Sequence, residues 1–170
     1  MRNVKRTLGT AAVVAVVVGL ALSTGVFAAT ATTNLSVTAS VANNCTISTT
    51  AVAFGAYDPI VANATTDLDG TGGVTITCTK GATTTIGLDN GAHYLAPSRR
   101  MTDGTDNLNY YLYKESGRTQ EWKNSGADLL TPPVAPSKAP RTYTVYGRVT
   151  AGQDVESGSY ADTVVATVNF

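Results

Sequence analysis

Any catalysis by this chain would pass through very few groups. Its 170 residues include one histidine, two cysteines and one tryptophan. His93 is the one imidazole available as a general base. It stands between Gly91 and Tyr94 in a turn-like stretch, with no Gly-x-Ser-x-Gly ahead of it to supply a nucleophile. Asp67-Leu68-Asp69-Gly70 has the opening of a calcium loop but lacks the third acidic ligand and the distal Glu. Gly70-Thr71-Gly72-Gly73 is not followed by Lys-Ser/Thr, so it makes no phosphate loop. Arg99-Arg100 could hold an anion, but two charges after a proline read more simply as a solvated turn or strand end. Tyr110, Tyr111, Tyr113, Tyr143 and Tyr146 could suggest a sugar-binding face, yet they fall in alternating segments where packing accounts for them. The expectation is a protein that is not an enzyme, with no catalytic residue, no metal and no cofactor.

Composition points the same way. Twelve basic residues balance twelve acidic ones, and the sequence pI is near 6.5. Nucleic-acid binding usually shows a basic surplus, so no nucleic-acid partner is expected. Charged residues make up 14% of the chain, against roughly 25% in ordinary soluble domains. Threonine, by contrast, occurs 28 times, and its β-branched side chain favours strands.

Residues 1–28 have the layout of a signal peptide. Arg2, Lys5 and Arg6 precede an apolar run over 11–22, and Val26-Phe27-Ala28 places small residues at −3 and −1 of a cut before Ala29. The run of 12 is short of the roughly 18–20 residues that a spanning helix needs, so no membrane insertion of the mature chain is expected. Without the three leader cations, nine bases face twelve acids, a net charge of −3. The mature chain is expected to be exported, first to the periplasm. There Cys45 and Cys78, the two cysteines and hence the single available pair, are expected to form a disulfide.

The elements that must position these groups all read as strands. Over 33–42, Leu35, Val37, Ala39 and Val41 alternate with polar residues, the period of a strand with one buried face. Residues 45–54 follow as a further short run, and 60–73 read as a polar, glycine-rich loop. Residues 74–79 and 83–88, joined by Lys80-Gly81, read as a hairpin. Residues 107–113, 142–150 and 161–170 alternate again, while 114–130, around Trp122, read as polar and irregular. Four prolines in 131–140 exclude a central strand there. The fold expected is all-β, an antiparallel sandwich of one domain.

In the last alternating segment Val164, Ala166, Val168 and Phe170 share a face, and nothing after them covers its outer edge. An open edge invites strand addition from another chain, and the segment 33–42 has the pattern of a donor. Alternation does not say which molecule a strand pairs with, so pairing within the same chain stays open.

Taken in order, several short motifs resemble the spore coat protein U domain family, which includes subunits of archaic chaperone–usher pili. They are Cys45-Thr46-Ile47, Phe54-Gly55-Ala56-Tyr57-Asp58-Pro59, Val74-Thr75-Ile76-Thr77-Cys78, Gly91 and Arg99-Arg100-Met101. Leu108-Asn109-Tyr110-Tyr111-Leu112-Tyr113, Trp122, Tyr146-Gly147-Arg148-Val149 and Gly158-Ser159-Tyr160-Ala161-Asp162-Thr163-Val164 complete the set. The resemblance covers essentially the whole mature chain. It implies an incomplete immunoglobulin-like sandwich over 43–170, one strand short, preceded by a donor-strand extension over 29–42. It implies three kinds of partner: a periplasmic chaperone that lends a strand, an outer-membrane usher, and other copies or related subunits of one fibre. Leu35, Val37, Ala39 and Val41 would be the donor residues. Val164, Ala166, Val168 and Phe170 would line the acceptor groove and meet the chaperone. The function implied is a structural subunit of a surface pilus serving adhesion or biofilm formation. A secreted spore- or cell-coat protein that closes its own sandwich is the alternative.

Overall fold

The computed structural model describes Gly25 and residues 28–170. The expected signal peptide, 1–28, therefore lies almost wholly outside the described residues. The chain divides into a unit ending at Ala39 and a second unit from Ser40 to Phe170. In the first, the described residues form no strand, and Leu35 and Val37 are 87% and 84% exposed. The strand expected over 33–42 is thus not formed in the single chain. An extended segment becomes a strand only when a neighbour completes its ladder.

The second unit is all-β. Its strands are β1 (Cys45–Ala53), β2 (Leu68–Cys78), β3 (Thr85–Leu88), β4 (Arg99–Thr102), β5 (Asn107–Tyr113), β6 (Arg141–Val149) and β7 (Ala166–Asn169). One 3-10 turn, Gly126–Asp128, lies between β5 and β6. One sheet runs in the order β1-β2-β6-β5-β4 and the other is the pair β3-β7, with every pairing antiparallel. Alternation puts one row of each strand inward: Val74 and Ile76 from β2, Leu108, Tyr110 and Leu112 from β5, Val145 and Val149 from β6. Ile86 and Leu88 come from the second sheet, so both sheets close on one core.

Three local readings change. First, 74–88 is no hairpin: β2 pairs with β1 and β6, whereas β3 pairs with β7. The Lys80-Gly81 turn instead crosses between sheets. It is tied to the proline-rich segment by Gly81 N–H to Ala135 O (2.8 Å) and Ala135 N–H to Ala82 O (3.0 Å). Second, the glycine-rich stretch is not all loop, because β2 starts at Leu68. The end of β1 bulges between Thr50 and Ala53 and lies so close that a Cβ on Gly72 would sit 2.7 Å from both Thr50 O and Val52 Cγ2. Glycine serves close approach here rather than flexibility. Third, Arg99 is not solvated. It is 3% exposed, with its guanidinium donating to Leu88 O, Asp89 O and Trp122 O at 2.8–3.0 Å. Trp122, from the stretch read as polar and irregular, is fully buried and donates Nε1–H to Ile86 O at 2.9 Å.

The disulfide joins Cys45, the first residue of β1, to Cys78, the last residue of β2, which face each other in the ladder. It closes a loop of sequence separation 33, which the chain-entropy model values at about 3–4 kcal/mol. A Cys45→Ser/Cys78→Ser double variant is expected to lose most of that, read as a lower urea midpoint with a larger m-value, because the unfolded chain without its crosslink exposes more surface. An unshifted midpoint would contradict the estimate.

Candidate functional site: a cleft between two unpaired strand edges

The two sheets do not close along one side. Among the described residues β1 pairs only with β2, and β7 pairs only with β3. An open cleft lies between Thr49–Val52 of β1 and the chain running from Tyr160 into β7. Its volume is about 430 Å³, and Val74, Leu88, Tyr110, Leu112 and Val145 line it. A second hollow of about 780 Å³ reaches towards Leu68, Leu108 and Val149. Val52, Phe54, Met101 and Tyr160 line both hollows, so the two adjoin. Together they form a trough of mixed polar and apolar lining over β2, β5 and β6, whose core side chains stay buried beneath it.

Hydrogen bonding along the second wall is one-sided. Ala161 exchanges two bonds of 3.0 Å with Thr102, Thr163 O accepts from Ala92 N–H, and Val165 O accepts from Asp89 N–H. Val165 N–H donates to the Asp89 carboxylate. Every one of these bonds belongs to an odd-numbered residue. In an extended chain the N–H and C=O of successive residues point to opposite edges. The backbone groups of Tyr160, Asp162 and Val164 therefore point the other way, and among the described residues they have no partner.

The side chains of the even-numbered residues turn inward. Val164 and Ala166 line the cleft. Val168 is half-buried against the core opposite Ile86 of β3, and Phe170, beyond the end of β7, is 55% exposed. Leu35, Val37, Ala39 and Val41 are all exposed. The strand expected over 161–170 is regular only from Ala166 to Asn169, since an edge with no neighbour on one side is held in strand geometry only where β3 supports it.

Asp162 sits in the cleft wall with its carboxylate turned inward and 2% exposed. Oδ2 accepts the Tyr110 hydroxyl at 2.6 Å, and Oδ1 accepts the N–H groups of Ala92 and His93 at 2.9 and 3.3 Å. His93 Nδ1 lies 3.1 Å from the same oxygen. Burial and the neighbouring carboxylate push the Tyr110 phenol well above its ordinary pKa. His93 thus has a carboxylate partner that sequence spacing did not reveal. No hydroxyl or thiol among the described residues is hydrogen-bonded to its ring, so the pair has the form of an anchor without a nucleophile. Nor do the described residues hold a group of three His, Cys, Asp or Glu placed to ligate a metal. No helix among them is long and apolar enough to cross a membrane.

On the outer face of the larger sheet, Arg148 binds Asp69 through two bonds of 2.8 and 3.0 Å, and this pairing lowers the Asp69 pKa. The Asp67-Leu68-Asp69 run read as a loop therefore supplies strand-face ion pairs, with Arg118 also reaching Asp69 at 3.2 Å.

The chain is similar to known proteins in sequence and in fold. The family model of the Spore Coat Protein U domain matches residues 31–167, which takes in the whole of the amino-terminal alternating segment, 33–42. "Protein U" of Myxococcus xanthus is 41% identical over 157 residues, covering 84% of this chain and 87% of that protein. Among solved structures, a chain of the CsuC-CsuE chaperone-tip adhesion subunit pre-assembly complex, from archaic chaperone-usher Csu pili of Acinetobacter baumannii, is similar in fold. Its TM-score is 0.54 at 24% identity, covering 76% of this chain. The chain spans 40% of the length of that solved chain.

Proposed function

The chain belongs to the Spore Coat Protein U domain family, and from that premise we propose that it is a structural subunit of a bacterial surface pilus. Assembly is by donor-strand exchange through a chaperone and an usher, and the fibre serves adhesion or biofilm formation. The observation that carries this reading is the one-sided bonding of Tyr160–Val165, across an open cleft from the unpaired edge of β1. A strand laid there would take up the free groups of Tyr160, Asp162 and Val164. Its alternate side chains would cover the half-buried Val52, Phe54, Met101 and Val164. The solved structure similar in fold comes from a chaperone-tip subunit complex, which supports a chaperone as the first occupant.

The following occupant is residues 29–42 of the next subunit. Burying Leu35, Val37 and Val41 at about 1.5–3 kcal/mol each gives roughly 5–9 kcal/mol before ordering costs. Hydrogen exchange tests the reading. When a synthetic peptide of residues 33–42 is added to the chain, exchange at the amides of Tyr160, Asp162 and Val164 is expected to slow. Unchanged exchange at all three, with peptide in excess, would sink the proposal.

The family name and the Myxococcus relative favour a second reading, a coat protein that closes the cleft with its own 33–42. It gives protected amides in a stable monomer with no peptide added, and so is separable from the first.

A further inference from the structure

We infer that Asp162 is the positioning residue of the acceptor edge, tying Tyr160–Val164 to the cleft wall ahead of β7 while their cleft-facing backbone groups stay free. The inference rests on the donor-strand reading above. A strand with no neighbour on one side has to be fixed by other means if it is to stay open and yet straight. Its outer bonds reach Thr102, Ala92 and Asp89, all in short strands or turns. Asp162 adds an inward tie at the middle of the segment, and its side chain joins the larger sheet to the turn that follows β3. Tyr110 belongs to β5 of the larger sheet, whereas Ala92 and His93 belong to the turn that follows β3.

The turn is built around that carboxylate. Gly91 has φ +81°, and a Cβ there would fall 2.1 Å from Asp162 Oδ2. Glycine is required twice over, for the backbone angle and for the space. Gly91, Tyr110 and Asp162 stand far apart in the sequence, and each belongs to a motif that carried the family resemblance. Here they form one unit. A carboxylate buried to 2% exposure is stable only when its lone pairs are filled, and the Tyr110 hydroxyl and two main-chain N–H groups fill them. Apparent affinity for a strand falls in proportion to the fraction of chains whose edge is competent to receive it. Loosening this tie therefore weakens capture even when the domain stays folded.

The test measures binding of a fluorescent peptide of residues 33–42 to the full chain at 25 °C, in the original protein and in Asp162→Asn and Tyr110→Phe. Near-UV circular dichroism checks the fold of each. Tyr110→Phe removes a single hydroxyl from one end of the tie and so guards against a fold failure of Asp162→Asn. Affinity is expected to drop about tenfold in Asp162→Asn and several-fold in Tyr110→Phe. Exchange at the Ala161 amide, whose bond to Thr102 depends on the segment staying extended, is expected to quicken in the free variants. A role confined to stability would lower the melting temperature and leave peptide affinity unchanged. Folded variants that bind as the original does overturn the inference. If the original protein itself fails to bind the peptide, the donor-strand reading is the one that has failed, and this inference falls with it.

Discussion

A chain lacking residues 29–42 is expected to fold on its chaperone but to form no SDS-resistant oligomers, while the full chain forms a ladder of them. The body keeps its disulfide, its seven strands and its core, because all of them lie from Cys45 onwards. What goes is the segment with three large aliphatic residues, Leu35, Val37 and Val41, exposed at 84–87%. Single residues matter less: Val37→Ala removes two methyl groups from one contact of several, about 1–2 kcal/mol, and should shorten fibres rather than abolish them. Mixing separates donor from acceptor. The truncated chain still has an open cleft but no donor, so it should accept the 29–42 strand of a full-length subunit as the first member of a fibre, add to no growing end, and be incorporated at most once per fibre. SDS-resistant ladders from the truncated chain alone would show that something other than 29–42 fills the cleft. Absence of the truncated chain from the starting end of such fibres would show that the cleft is not the acceptor.

Much of this arrangement was legible in the sequence wherever a single period carried the information. Leu108, Tyr110 and Leu112 alternate inward over β5 as their spacing requires, and Tyr143, Val145, Gly147 and Val149 do so over β6. Period alone says that a segment is a half-buried strand but not which strand lies beside it. For that reason 74–79 and 83–88 looked like a hairpin although they belong to different sheets. Composition misled over Asp69-Gly70-Thr71-Gly72-Gly73, where glycines that usually mark loops give β1 room to fold across β2. Asp162 and His93 lie 69 positions apart, and nothing local ties them. The Asp162 carboxylate was visible only as one letter of a motif. The open edge itself could be suspected from the last alternating segment, but its free groups at Tyr160, Asp162 and Val164 follow from which neighbours the odd-numbered residues find.

The least legible residue, Arg99, should be among the costliest to lose. It starts β4 in the larger sheet, and its guanidinium reaches Leu88 O and Asp89 O at the end of β3, in the other sheet, as well as Trp122 O. Burial pulls its pKa down, the usual cost of removing a charge from water, and an arginine in such a place stays protonated at neutral pH. Two effects then oppose each other in Arg99→Met. The desolvation cost is relieved, but three carbonyls lose their donor, each at about 1–3 kcal/mol where water cannot enter. The second effect is the larger, and the net loss should be roughly 2–4 kcal/mol, a large share of the 5–15 kcal/mol typical of a domain. Arg99→Lys discriminates between charge and geometry. An ammonium keeps the charge but gathers its three donors on one nitrogen, whereas the guanidinium delivers them from two nitrogens held apart in a plane, so lysine should be no better than Met. The packing of Trp122 supplies the readout: its indole is held by Ile86 O from β3, and loosening the tie between sheets should shift its fluorescence to the red before global unfolding. A lysine variant with the original urea midpoint and emission would mean that charge alone holds the two sheets together here.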